Sequence, residues 1–212
     1  MHPATEVELA TIMRGVIYVA YGERAVIEAT ASIRTLRKQN HYPVAVVGDR
    51  IEGVDFTLDS ENIGQPGRWA KTMLFHTTPF VDTLFLDADT RVHGDVSWGF
   101  RALDDGWDFV IVPSKITGEP LHHLDKNERL ATLKELGDNF PLMLNTGVMW
   151  FKKNERTQKL FDAWHKEWLQ WRRHDQGALL RALRKSPVKL FIAGRPFNGG
   201  EIVEHLFGRA AL

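Results

Sequence analysis

The chain has 212 residues, 43% of them hydrophobic and 25% charged, which is enough to bury one core of ordinary size. Lys plus Arg and Asp plus Glu each number 27, so no overall field draws the chain toward nucleic acid or an anionic membrane. The lack of Cys excludes disulfides, thiolate nucleophiles and Cys-ligated zinc or iron–sulfur sites, and fits a reducing, cytoplasmic location.

Met1 to Gly15 carries Glu6 and Glu8 and has no basic segment followed by a sustained apolar run, so no signal peptide is read there. Apolar runs such as Val16 to Ala20 fall far short of the ~20 residues that a transmembrane helix needs. β-branched and aromatic runs alternate with stretches of helical spacing, which predicts an α/β domain with a mostly parallel central sheet. Val16 to Ala20 reads as the first strand and Tyr21-Gly22 as a turn. Glu23 to Gln39 then places Val26, Ala29, Ile33 and Leu36 on one helical face. A second strand, Val44 to Val47, stops at Gly48-Asp49, the kind of junction where α/β ligand crevices form. A weaker segment lies near Asp55 to Leu58, a loop at Gly64 to Gly67, and a helix from Arg68 to His76 closed by Pro79.

Leu84 to Leu86 reads as a buried strand carrying Asp87-Ala88-Asp89 at its carboxyl end, and Asp108 to Val112 as another. Pro113 to Asn127, with His122-His123, is polar and irregular and reads as a mobile loop over a site. Met143 to Phe151 alternates strand-like runs with Asn145-Thr146-Gly147. A long helix follows from about Glu155 to Trp171, and its Trp164 and Trp168 are read as core. A short helix after Asp175, a strand from Val188 to Ile192 and a Gly/Pro-rich segment complete the chain. The basic stretches Arg172-Arg173 and Arg181 to Lys185 read as solvated helix surface.

Two carboxylates one residue apart at a strand end can face one cavity and share a hard divalent cation. The same Asp87-Ala88-Asp89-Thr90 run also satisfies the Asp-x-Asp-x-Thr motif of haloacid dehalogenase-type phosphatases, with Asp87 as nucleophile. A solvated turn capped by its own Asp side chains is a third reading.

The spaced blocks carry more. Arg68-Trp69-Ala70-Lys71, Leu84 to Thr90, Gly94-Asp95-Val96, Leu144 to Met149, Asp175 to Leu179, Pro196-Phe197-Asn198 and His205-Leu206-Phe207-Gly208 follow one another in order. In this the sequence resembles the retaining A-type glycosyltransferases, especially the family of glycogenin and the bacterial lipopolysaccharide galactosyltransferases. The final Arg209-Ala210-Ala211-Leu212 departs from that family's Lys-Pro-Trp ending, and the first loop lacks its usual length and acidic base-contacting residue.

The resemblance implies one nucleotide-diphospho-sugar transferase domain over residues 1–212, with a nucleotide-binding half at about 15–113 and a sugar and acceptor half at about 140–208. It implies Mn²⁺, or Mg²⁺, held by Asp87, Asp89 and His205, and an imidazole among carboxylates favours Mn²⁺. By the same resemblance Lys71 lies near the diphosphate or sugar, Asn145 against sugar hydroxyls, and Gly147 where the backbone approaches closely. Asp175 and Gln176 face the sugar and its anomeric carbon, while Tyr21, Gly22, Asp49 and Gly208 hold the nucleotide. The implied partners are a nucleotide-sugar donor, a UDP-sugar first, and a glycan or other hydroxyl acceptor. A non-catalytic nucleotide-sugar-binding module is the remaining alternative.

Overall fold

The computed structural model describes residues 13–58, 66–114, 121–137 and 140–206. Strand β1 (Arg14–Ala20) sends Val16, Tyr18 and Ala20 into one core and Ile17 into another on the opposite face of the sheet. Helix α1 (Glu23–Leu36) buries Ala29, Ile33 and Leu36 and returns the chain to β2 (Val44–Gly48), parallel to β1. Strand β3 (Phe56–Leu58) pairs with β2. After α2 (Pro66–Thr72) and α3 (Leu74–Thr77), β4 (Asp82–Leu86) joins the other side of β1, also parallel. There follow β5 (Thr90–Val92), α4 (Ser97–Asp104), β6 (Phe109–Pro113) and α5 (Lys126–Leu136). The chain continues through β7 (Leu144–Lys152), α6 (Glu155–Trp171), α7 (Asp175–Lys185), β8 (Leu190–Ile192) and β9 (Val203–His205).

The main sheet has seven strands in the order β3-β2-β1-β4-β7-β6-β8. Within it, β7 runs against both its neighbours and the other pairings are parallel, as expected for a mostly parallel α/β sheet. Residues of α1 and α4 pack into the core on one face, and residues of α2, α3, α6 and α7 into the core on the other. Strands covered on both faces read as continuous apolar runs, and β4 is buried at every position.

Several boundaries differ from the sequence reading. The helix expected over Arg68 to His76 is two helices, broken at Met73. The expected irregular loop from Pro113 gives way to α5 at Lys126, and Leu121 is fully buried; residues 115–120 lie outside the described residues. Asn145-Thr146-Gly147 does not interrupt a strand: β7 runs through it, with a register shift where β6 passes from Ile111 to Val112. Helix α4 and strands β5 and β9 had no counterpart in the sequence reading. Among the described residues no helix is long and apolar enough to cross a membrane.

Candidate active site

The chain turns sharply at the carboxyl end of β4. Thr90 closes the turn by donating its backbone N–H and its hydroxyl to Asp87 O, at 3.2 and 2.8 Å. Beneath it runs a buried relay of hydroxyls, with Thr90 Oγ1 2.9 Å from Ser32 Oγ and Ser32 Oγ 3.1 Å from Tyr18 Oη. Burial pushes the Tyr18 phenol up, so it stays protonated. The turn thereby presents Asp87 and Asp89 on one side. It leads into β5, which forms an antiparallel ribbon with β9 in a register that sets Thr90 opposite His205. Asp89 O accepts from Leu206 N at 2.9 Å, pinning the far end of the ribbon.

One ligand atom from each of Asp87, Asp89 and His205 therefore lies within 4.8 Å of the others. His205 Nε2 is 3.1 Å from Asp89 Oδ1 and 3.7 Å from Asp87 Oδ2. The other carboxylate oxygen of Asp87 meets Lys71 Nζ at 2.8 Å, and the same ammonium lies 3.3 Å from Asp175 Oδ2. Burial alone would push the Lys71 ammonium down, but Asp175 and Asp87 hold it above the ordinary lysine range. Burial likewise would raise the Asp175 carboxyl, yet Lys71 and the Thr146 hydroxyl, which donates to Oδ2 at 2.6 Å, hold it low. A carboxylate and an ammonium thus persist together under the cluster.

Gly147 decides whether the cluster has room. Its N–H donates to Asn145 Oδ1 at 2.8 Å and its carbonyl accepts from Asp87 N at 2.8 Å, so its backbone passes directly beside the acids. A β-carbon there would lie 2.3 Å from His205 Cε1 and 2.6 Å from Asp87 Oδ2. Two carboxylates and an imidazole around a space kept open by glycine fit a hard or borderline divalent cation, Mn²⁺ or Mg²⁺.

Residues 111–197 match the family model described as nucleotide-diphospho-sugar transferase. Among solved structures, the galactosyltransferase LgtC, determined with donor and acceptor sugar analogues, superposes with a TM-score of 0.60. The match is 15% identical and covers 88% of this chain and 75% of LgtC. Mouse xyloside xylosyltransferase 1 gives a TM-score of 0.57 at 11% identity, covering 86% of this chain and 85% of that one. The fold is that of an A-type glycosyltransferase. The bifunctional glycosyltransferase WbbM also shares it, with a TM-score of 0.58 at 12% identity over 93% of this chain, which spans 40% of WbbM's length. Comparison with curated protein sequences gave no match.

In this A-type glycosyltransferase fold the tips of β1 and β2 meet beside the acidic turn. Asp49 Oδ2 accepts from Gly22 N at 2.6 Å, and Asp49 N donates to Ala20 O at 2.8 Å, so Tyr21, Gly22 and Asp49 form one rim. Tyr21 is half-buried against the core under that rim. Asp175 opens α7, with Gln176 half-buried after it, and Trp164 Nε1 fixes that turn by donating to Asp175 O at 2.8 Å. Gly208 lies outside the described residues.

His123 is half-buried, its ring 5.4 Å from that of His174, and burial with repulsion from His174 and His122 pushes it down to about 4. Sequence reasoning missed the parts played by Ser32 and Thr146, because small hydroxyls carry no chemical signature until their partners are known, whereas Trp164, read as core, is fully buried. It also misread Arg181, which is not solvated but 1% exposed between α5, α6 and α7.

Proposed function

We propose that the chain transfers a sugar from a nucleoside diphosphate donor, UDP before GDP, to an acceptor hydroxyl with retention at the anomeric carbon, using Mn²⁺ or Mg²⁺ held by Asp87, Asp89 and His205. The observation that carries this reading is the convergence of those three side chains, from the β4–β5 turn and from β9, around a space that only a glycine leaves open. When bound, a divalent ion there neutralises charge on the diphosphate leaving group.

The remaining work falls to the chain's own residues. Lys71 supplies a fixed positive charge between the acids and the sugar side, preorganised by burial. Asp175, kept ionised, faces the sugar with Gln176 and stabilises positive charge developing on it. Asn145 accepts from Gly147 N through Oδ1, which leaves its amide nitrogen as the group to donate to a sugar hydroxyl. Tyr21, Gly22 and Asp49 hold the nucleotide, so that the nucleotide half lies at about 15–113 and the sugar and acceptor half at about 140–208. A cytoplasmic location suits a chain with no Cys.

Thermal shift with UDP, GDP, ADP and CDP, each with and without Mn²⁺, tests donor and metal together. The largest stabilisation is expected for UDP with Mn²⁺. Asp89→Asn should lose about 100-fold or more of metal-dependent turnover while keeping its melting temperature. Full activity in that variant overturns the proposal. UDP binding that ignores Mn²⁺, without donor turnover, would favour the non-catalytic alternative, and hydrolysis of a generic phosphate ester the phosphatase.

A further inference from the structure

A pocket lies at the opposite end of the parallel strands. Arg14, at the start of β1, pairs with Asp82 at the start of β4 and with Asp104 at the end of α4. The acidic cluster, by contrast, sits beyond the carboxyl end of β4. Beside Asp104 a pocket of about 310 Å³ is lined by Trp98, Trp107, Phe191, Arg101, Asp104 and Asp105.

Its apolar wall is rigid. Trp98 stacks on buried Phe197 at 5.2 Å and 29°, and Phe197 abuts the fully buried Trp150 at 5.4 Å. Outward from this ladder, Phe191 on the end strand β8 stands 5.3 Å from Trp98 at 67° and 5.1 Å from Trp107 at 79°. Gly106, at φ +96°, makes the left-handed turn that lifts Trp107 out of α4's path, and the indole is left 36% exposed. A pocket lined by aromatic rings with a few polar groups around it is the usual form of a small-molecule binding site.

The polar groups choose the ligand. Arg14 pairs with Asp104, and Arg101, whose own ion pair at 3.8 Å is with Asp95, lines the pocket together with Asp104 and Asp105. The lining thus carries both signs of charge, and Arg101 opposes a quaternary ammonium, the usual guest of an aromatic cage. What remains is a set of hydrogen-bond donors and acceptors beside indole faces. A pyranose has the matching surface, an apolar C–H face ringed by hydroxyls that both donate and accept. We propose that this pocket binds a neutral sugar unit of a glycan, at a site separate from the acidic cluster. The inference rests on the pocket's own chemistry and stands whether or not the chain is a transferase.

Lactose, maltotriose and triacetylchitotriose, each titrated to about 10 mM, are the probes, with intrinsic tryptophan fluorescence and saturation-transfer difference NMR as readouts. At least one is expected to bind with a millimolar Kd. Trp107→Ala and Asp105→Asn should each weaken it tenfold or more, whereas Asp89→Asn should bind it as the parent does. Trp107→Phe, which keeps a ring, should retain part of the affinity, and Asp105→Asn decides the matter if Trp107→Ala fails to fold. No binding by any of the three sugars, affinity unchanged in Asp105→Asn, or choline binding in preference to sugar overturns the proposal.

Discussion

At Gly147 the backbone occupies the place where any other residue would put a β-carbon against His205 and Asp87. Neither neighbour can yield cheaply, since His205 is held by the β5–β9 register and Asp87 by its backbone bond to Gly147 and its ion pair with Lys71. Gly147→Ala should therefore weaken Mn²⁺ binding by about 10–100-fold while the fold survives, measured by Mn²⁺ titration with turnover as readout. An unaltered Mn²⁺ affinity would mean that the three side chains do not form the metal site. The pairing of Lys71 with both Asp87 and Asp175 has a related meaning. It gives the buried carboxylate of Asp175 its counter-charge and ties the start of α7 to the end of β4.

Two buried charged groups join elements at the other end of the molecule and on its helical face. Asp108 precedes β6 and accepts from Arg156 twice, at 2.6 and 2.7 Å, from Asn154 at 2.8 Å and from Lys189 N at 3.0 Å, linking β6 to the starts of α6 and β8. Burial would raise its carboxyl, but these donors hold it below the ordinary range. A carboxyl depressed in the folded state contributes stability above its unfolded value, about 3.9, and loses that contribution as pH falls through the folded value. Urea midpoints should accordingly fall more steeply below about pH 4 in the parent than in Asp108→Asn, which should also be less stable at neutral pH. Parallel profiles would refute this role.

Arg181 is the second such group. Its guanidinium reaches Glu167 at 2.9 Å, Thr132 at 2.5 Å and Glu128 at 3.5 Å, joining α7 to α6 and α5. Arg181→Leu would leave buried Glu128 without its cation and take one of two from Glu167, which keeps Lys185, a loss of about 3–5 kcal/mol in urea unfolding. A change under about 1 kcal/mol would show that the buried glutamates manage without it.

For the whole molecule, the cluster of Asp87, Asp89 and His205, a candidate metal site, joins the last described strand to the middle of the sheet. A divalent ion bound there would hold β9 to the β4–β5 turn, adding about 2.7 kcal/mol at a hundredfold excess over Kd. Hydrogen exchange of residues 200–206 should slow on adding Mn²⁺ and return with a chelator; exchange indifferent to the ion would break the link between cluster and ribbon.

Local pattern determined much of this in the sequence. The alternation of apolar runs with helical spacing announced the α/β sheet, and helix α6 occupies the residues that its aromatic stripe marked. The acidic triplet and the helix start at Asp175 were visible because each is a contiguous signal. Tertiary structure alone decided the rest. Helix α5 was hidden because its apolar residues do not gather on one face, and its buried Glu128 reads as surface until Arg181 is placed against it. That Thr90 stands opposite His205, and that Gly147 clears the space beside His205 and Asp87, depends on strand register, where a slip of one residue turns every side chain to the other face. Residue types and order could nominate the cluster, but its three-dimensional assembly is a property of pairings between segments far apart in the chain.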